Sequence, residues 1–289
     1  MPIATVNGIE ICFETQGRPS DPPVLLVMGL GAQLITWPDG FVDMLAARGF
    51  YVVRYDNRDS GRSTKFDGMP DIAALLAGDT GSAVYTIEDM AADGVALLGH
   101  LGLDRVHVVG ASMGGMITQA MVIHYPGRFL SACSIMSTTG DRSVGAPTGE
   151  ALSALLRPMA QSRDEAVAAA MEASAVIGSP KYPADADTLR ARAEAAYDRS
   201  YAPLGTARQL AAILGSPDRT AGLGGVTMPF LVIHGDADPL VTPSGGRATA
   251  DAVPGATLLM IPGMGHDLPE ALWEEIVSAV VANTALASV

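Results

Sequence analysis

Basic residues and long apolar runs are both scarce in this sequence. Its 289 residues include 18 Lys and Arg against 31 Asp and Glu, which gives a formal net charge of −13. This balance argues against nucleic acid and against an anionic membrane surface as a partner. The longest apolar runs fall short of the roughly 18–20 residues that a membrane span needs. We therefore expect no transmembrane helix.

Cysteine is also rare, with Cys12 and Cys133 as the two examples, each inside an apolar strand-like segment. We expect two buried thiols rather than a disulfide framework. The first residues carry neither a basic nor an apolar leader segment, so no signal peptide is expected. The default expectation is a cytoplasmic, reducing location.

Apolar residues, at 48% of the chain, are plentiful enough for a sizeable core. Short β-branched or Leu-rich runs alternate with amphipathic helical stretches, which predicts an α/β fold with a mostly parallel sheet. The turn Asn7-Gly8 predicts a β-hairpin over residues 3–16. Buried strands are predicted at 24–28, 50–55, 105–109, 129–136, 230–234 and 256–261. Helices are predicted at 41–48, 87–101, 113–125, 242–252 and 269–285.

Residues 138–227 differ from the rest, because they carry helical spacing with Gly and Pro punctuation and contain no good strand. Helices are predicted there at about 147–160, 164–176, 186–200 and 204–214. A helical block inserted between two strands of a parallel sheet is typical of a lid. We predict a core of residues 1–137 and 228–289 and a helical cap of residues 138–227. Residues 64–83 form a second irregular stretch that could border a pocket.

A nucleophile is indicated by the segment Gly110-Ala-Ser112-Met-Gly114, which matches the pattern G-x-S-x-G. A buried strand precedes it and a helix follows it, as a sharp strand-to-helix turn requires. The flanking positions must be small because the serine backbone is strained in such a turn. The start of the helix favours a developing negative charge. Ser112 is therefore the predicted nucleophile.

Serine needs an adjacent base, and His266 is the predicted one among five histidines. It lies in a glycine-rich loop between the last strand and the last helix, where folds of this class place their chemistry. His234 ends a strand, and we expect a structural role for it. The three remaining histidines, His100, His107 and His124, are expected to be surface or packing residues.

The acid that orients the histidine is expected between Ser112 and His266 in chain order. The segment His234-Gly-Asp236-Ala-Asp238-Pro239 supplies two candidates at the end of a strand. Either carboxylate could reach the imidazole, so the residues alone do not separate Asp236 from Asp238. The other aspartate is then a turn-forming residue.

These motifs resemble those of the α/β-hydrolases along nearly the full chain, and in detail those of capped esterases of the aclacinomycin methylesterase type. The segments that carry the resemblance are Val27–Gly31, Asp56–Ser63, Gly110–Gly115, His234–Pro239 and Ile261–His266. The resemblance implies Asp238 as the acid, since the family's aspartate stands directly before the proline. It also implies an oxyanion hole formed by the backbone N–H groups of Leu30 and Met113. Most relatives begin the first of these loops with His-Gly, whereas Met28-Gly29 stands here and makes the pocket floor more apolar.

The expected function is cleavage of a small-molecule carboxylic ester through an acyl-enzyme, with a methyl ester on a bulky aromatic or polyketide-like scaffold suggested by the resemblance. Trp37, Met136 and Leu240 are expected to line an apolar substrate pocket. Arg58 and Asp59 are expected to form a structural ion pair. The sequence shows no metal cluster, dinucleotide fingerprint or phosphate-binding loop, so no cofactor or metal is expected.

Other reactions of the same triad remain open, namely those of an enol-lactonase, a C–C bond hydrolase or a cofactor-free perhydrolase. A ligand-binding homologue without catalysis is a further alternative, which the complete set of triad residues disfavours. Epoxide and haloalkane hydrolysis are disfavoured because those relatives place Asp, rather than Ser, in the turn. The sequence makes no prediction of oligomeric state.

Overall fold

An eight-stranded, mostly parallel sheet forms the centre of the molecule. The structure is a computed structural model that describes residues 1–287. The strands run in the spatial order β1-β2-β4-β3-β5-β6-β7-β8, and β3 to β8 are parallel while β1 and β2 pair antiparallel. They are β1 (Ile3–Val6), β2 (Ile9–Gln16), β3 (Pro23–Val27), β4 (Tyr51–Tyr55), β5 (Val106–Ala111), β6 (Phe129–Ile135), β7 (Phe230–Gly235) and β8 (Thr257–Ile261). The predicted α/β fold is confirmed.

Strands β3 to β7 are buried on both faces, which explains why they read as continuous apolar runs. In β3, Val24 and Leu26 belong to one apolar cluster, while Leu25 and Val27 belong to another. Because successive strand residues point to opposite faces, the two clusters lie on opposite sides of the sheet. Helices α1 (Asp39–Ala47) and α11 (Trp273–Thr284) cover the first side. Helices α3 (Ile87–His100) and α4 (Met113–His124) cover the second.

Local turn and cap signals account for several element boundaries. Asn7 and Gly8 both have positive φ, 50° and 77°, as a two-residue hairpin turn requires. Helix α3 begins with a capping box in which Thr86 and Asp89 bond each other's backbone amides. The predicted hairpin is confirmed.

Between β6 and β7, residues 138–227 contain helices and no strand, and we call this region the cap segment. Its helices are α5 (Gly149–Leu155), α6 (Arg163–Ile177), α7 (Ala186–Arg199), α8 (Pro203–Gly215) and α9 (Thr220–Leu223). Helix α5 is shorter than predicted because Pro158 lacks an N–H and disfavours the helical backbone of the residue before it. The last parallel strands flank α10 (Pro243–Ala252).

Residues 64–83, expected to be irregular, contain the short helix α2 (Ile72–Leu76) and a 3₁₀ turn at Thr80–Ser82. Cys12 and Cys133 are both buried and unpaired, as predicted. Across the described part of the chain, no helix has both the length and the apolarity to cross a membrane.

Candidate active site

Ser112 occupies the sharp turn between β5 and α4. Its φ of 57° and ψ of −122° are rare for a residue with a side chain. Two residues before the serine and two residues after it, the turn has room only for glycine. A Cβ on Gly110 would lie 2.0 Å from the carbonyl oxygen of Gly114, and a Cβ on Gly114 would lie 2.0 Å from that of Val27. The spacing of the motif is therefore dictated by backbone crowding around the serine.

Ser112, His266 and Asp238 form one chain of hydrogen bonds. The Ser112 Oγ lies 2.9 Å from His266 Nε2, and His266 Nδ1 lies 2.8 Å from Asp238 Oδ2. Asp238 and His266 are buried, whereas Ser112 is half-buried. Because a carboxylate only accepts hydrogen bonds, the neutral imidazole carries its proton on Nδ1, and this N–H donates a hydrogen bond to Asp238. Nε2 is then free to accept the serine hydroxyl proton.

The two aspartates that the sequence left open have different surroundings. Oδ1 of Asp238 accepts hydrogen bonds from the backbone N–H groups of Leu240 and Val241, each at 2.9 Å, which directs Oδ2 towards the histidine. Asp236 is exposed, and its Oδ1 accepts the N–H of Gly263 at 2.6 Å. The geometry thus gives Asp236 a turn-stabilising contact and Asp238 the contact with His266.

The backbone N–H groups expected to form the oxyanion hole are free. Within residues 1–287, neither the Leu30 amide nor the Met113 amide donates a hydrogen bond to another residue. The loop that contains Leu30 passes directly over the serine, since a Cβ on Gly29 would lie 3.0 Å from the Ser112 Cβ. Met113 is the first residue of α4, where amides have no partner inside the helix.

The cap segment contacts the backbone of the loop that carries His266. The N–H of His266 donates to the carbonyl of Ile177 at 2.7 Å, and the N–H of Gly265 donates to Ser179 Oγ at 2.8 Å. The Ser179 hydroxyl in turn donates to the Asp267 carboxylate. Burial raises the pKa of Asp267, and the Ser179 hydrogen bond acts in the opposite direction. The linker between α6 and α7 therefore supports the loop that carries His266.

His234 has a different role from His266. Its Nε2 donates to the carbonyl of Val241 at 2.8 Å, and the side chain is fully buried. Burial lowers the pKa of His234, so the ring stays neutral. The structural role predicted for it is consistent with these contacts.

In the region that the structure describes, no three or more His, Cys, Asp or Glu side chains are grouped to hold a metal ion.

A cavity of about 550 Å³ lies between the cap segment and the core. Leu30, Gly31 and Ser60 contribute the core side, and alanines, leucines and two tyrosines contribute the cap side. The cap residues include Leu155, Leu156, Ala166, Ala170, Ala196, Tyr197, Tyr201 and Leu210. A second cavity of about 800 Å³ borders His266 and the α6–α7 linker.

The three side chains expected to line the substrate pocket lie outside the walls of both cavities. Trp37 is fully buried and stacks on Phe41 in the core. Met136 is buried in the same apolar cluster, with a φ of 43°. Leu240 is half-buried, and its amide bonds Asp238. Much of the cavity walls instead comes from the cap helices, whose sequence gives no periodic signal for a pocket.

The expected ion pair between Arg58 and Asp59 is wrong. Arg58 pairs with Asp93, Nε to Oδ2 at 2.6 Å, while Asp59 pairs with Arg208 of the cap segment at 2.7 Å. Consecutive residues rarely face each other, and the positive φ of Asp59, 66°, turns its side chain away from Arg58. A partner 149 residues further along the chain leaves no local sequence signal.

The profile of the alpha/beta hydrolase fold family matches residues 22–270. Rhodomycin D methylesterases of Streptomyces sp. (strain C5) and of Streptomyces peucetius are each 30% identical to this chain; the alignments cover 99% and 100% of it and 98% and 100% of the relatives. Among solved structures, the enol-lactonase from Burkholderia xenovorans superposes with a TM-score of 0.78 at 24% identity, over 98% of this chain and 100% of that one.

The chain therefore belongs to the alpha/beta hydrolase fold family. The resemblance to methylesterases within this family, inferred from the motifs, is confirmed over the whole length of the chain. The prediction of a hydrolytic enzyme is confirmed with it. At 24% identity, the likeness to the enol-lactonase concerns the fold alone.

Proposed function

We propose that this protein is a serine hydrolase that cleaves carboxylic esters through a covalent acyl-enzyme on Ser112. The observation that carries the proposal is the hydrogen-bonded chain from Ser112 Oγ to His266 Nε2, at 2.9 Å, and from His266 Nδ1 to Asp238 Oδ2, at 2.8 Å. A nucleophile, a base and an orienting acid in this arrangement are typical of acyl transfer. The identity to methylesterases supports an ester as the substrate.

In the first half-reaction, Ser112 Oγ attacks the ester carbonyl as His266 Nε2 takes its proton. The imidazolium that forms is stabilised by the Asp238 carboxylate. His266 then gives the proton to the leaving alcohol oxygen, which breaks the C–O bond. In the second half-reaction a water attacks the acyl-enzyme, with His266 again taking and returning the proton, and the acid leaves.

The negative charge on the tetrahedral intermediate develops between two free amides, those of Leu30 and Met113. Removing one such donor from an oxyanion hole typically costs about 10²–10³ in rate. Met113 also lies at the start of α4, whose dipole favours the oxyanion.

The proposed substrate is a small-molecule ester with a large apolar part, held in the cavity beneath the cap segment. Two features support this: the cavity is lined by alanines, leucines and tyrosines, and the relatives are named for a methyl ester of rhodomycin D. The cap segment would act as a helical lid over the pocket. A cytoplasmic location remains a prediction.

The test uses p-nitrophenyl esters of increasing acyl length, together with methyl esters of bulky aromatic acids. Turnover by the unchanged protein, lost in Ser112→Ala and kept in Ser153→Ala, is the expected result; Ser153 is exposed on α5. Absence of turnover and of labelling by a fluorophosphonate would contradict a serine hydrolase. Labelling at Ser112 without ester turnover would contradict the ester as substrate and direct attention to lactones or C–C bonds.

A further inference from the structure

The loop that carries the Leu30 amide, residues 28–33, is held by two hydrogen bonds from the core and by one within the loop itself. We call it the oxyanion loop. Asn57 Nδ2 donates to the carbonyl of Met28 at 2.8 Å, and Ser60 Oγ donates to that of Ala32 at 2.5 Å. The Ala32 N–H donates to the carbonyl of Gly29 at 3.3 Å. Because that carbonyl and the Leu30 N–H share one planar peptide unit, this bond sets the direction of the Leu30 N–H.

The cap segment holds the same loop from the other side, through Gln209 of α8. Its Oε1 accepts the N–H of Gly31 at 2.7 Å, and its Nε2 donates to the carbonyl of Arg58 at 2.7 Å. The Gln209 side chain is fully buried. Thr206, on the same helix, leaves no room for a side chain at Gly31, where a Cβ would lie 2.8 Å from Thr206 Oγ1. The loop is thus fixed between core and cap.

Helix α8 is itself firmly attached to the core. Arg208, next to Gln209, donates two hydrogen bonds to Asp59, Nε at 2.8 Å and Nη2 at 2.7 Å. Tyr85 donates to the same carboxylate at 2.7 Å. All three side chains are buried. A bidentate buried pair with a third donor fixes the position of α8, so Gln209 presents its amide in one place.

We propose that Gln209 is a positioning residue for the oxyanion hole, acting through the Gly31 amide on the direction of the Leu30 N–H. The inference rests on the proposed function, since it assigns Gln209 to the same reaction. The site requires a side chain that accepts from one backbone group while it donates to another, and an amide does both. Methionine has a similar shape but donates no hydrogen bond and accepts only weakly, and an ionised glutamate keeps only the acceptor.

The expected effect of Gln209→Met is a fall in kcat of about 10–100-fold with KM within about twofold. Misplacing a catalytic group by about 1 Å can cost about 10²-fold, and removing an oxyanion donor about 10²–10³. A trifluoromethyl ketone, whose adduct with Ser112 places an oxyanion in the hole, is expected to lose affinity by a similar factor. The pH profile of kcat keeps its position because His266 is untouched. Gln209→Glu is expected to lie between Gln209→Met and the unchanged protein.

The matched control is Ile213→Ala, one turn further along α8, where Ile213 packs against the core cluster rather than the oxyanion loop. It is expected to lower the thermal midpoint and keep kcat and ketone affinity. Unchanged kcat and ketone affinity in Gln209→Met would overturn the inference, as would an equal loss of both in Ile213→Ala. Loss of turnover in Ser112→Ala shows separately that the proposed function holds. If Gln209→Met does not fold, Gln209→Glu undergoes the same comparison, and unchanged values there overturn the inference.

Discussion

Replacing Asp238 by Asn changes one atom and is expected to disable the base through its tautomer. In the structure, Oδ1 of Asp238 accepts two backbone N–H groups, from Leu240 and Val241. An asparagine at 238 must keep its oxygen in the place of Oδ1, because a flipped amide would bring its NH₂ donor against the two backbone N–H donors. Its NH₂ group then points at His266 Nδ1 and donates to it. The imidazole is forced to carry its proton on Nε2, where it can no longer accept the proton of Ser112.

The expected loss in kcat is about 10⁴-fold, the cost of the corresponding exchange in serine-protease triads. This corresponds to about 5.4 kcal/mol of transition-state stabilisation. The hydrogen bonds to Leu240 and Val241 survive the exchange, so the free energy of unfolding is expected to change little. KM for a short ester is expected to stay within a few-fold.

The assay compares kcat for p-nitrophenyl butyrate in Asp238→Asn, Asp236→Asn and the unchanged protein, with thermal unfolding as the check on folding. Asp236 is the matched control because it stands two residues away, is exposed and bonds only the Gly263 amide in this loop. It is expected to keep kcat within about twofold. An Asp238→Asn protein that folds and retains more than a tenth of kcat would refute the tautomer reasoning. A larger loss in Asp236→Asn would assign the acid to the other carboxylate.

Three further changes test the packing around the site. Arg208→Met leaves the Asp59 carboxylate buried without its cation and is expected to cost about 3–5 kcal/mol in urea unfolding; a loss below about 1 kcal/mol would contradict a buried pair that holds the cap segment. Gly29→Ala places a Cβ 3.0 Å from the Ser112 Cβ and 3.1 Å from the Ala111 carbonyl oxygen. Because this crowding displaces the serine or the loop, kcat is expected to fall about tenfold or more. A kcat equal to that of the unchanged protein would show that the loop has room for the methyl group. Burial lowers the pKa of His107 to about 4, so between about pH 6.5 and about pH 4 this imidazole stays neutral in the folded protein but binds a proton in the unfolded chain. The free energy of unfolding is therefore expected to fall as the pH drops from about 6.5 to about 4, by at most about 3 kcal/mol. His107→Gln should flatten this part of the pH profile of unfolding, and an unchanged profile would disprove the assignment.

The central strands β3 to β7 could be predicted from the sequence because they are buried on both faces and therefore read as apolar runs. The segments predicted at 105–109 and 230–234 differ from β5 and β7 by no more than two residues at either end. The sharp turn that presents Ser112 could also be predicted, since backbone crowding forces glycine at positions 110 and 114. The loop that carries His266 followed from its place after the last strand.

The choice between the two aspartates could not be made from the residues, because it depends on which carboxylate the amides of Leu240 and Val241 orient. The contacts between cap and core were also out of reach. Gln209 and Arg208 are buried polar side chains on a helix whose sequence is simply amphipathic, and their partners lie about 150 residues away. Local patterns predict which face of a helix is buried but not which distant backbone group a buried amide will meet.

Locating the acyl group during turnover tests the covalent role of Ser112 most directly. The protein is mixed with a p-nitrophenyl ester, quenched in acid within milliseconds, and digested for peptide mass mapping alongside Ser112→Ala. A burst of p-nitrophenol and an acyl adduct on Ser112 are expected in the unchanged protein, and neither is expected in the variant. Hydrolysis that proceeds with no adduct at Ser112, or with an adduct on another residue, would contradict this covalent role.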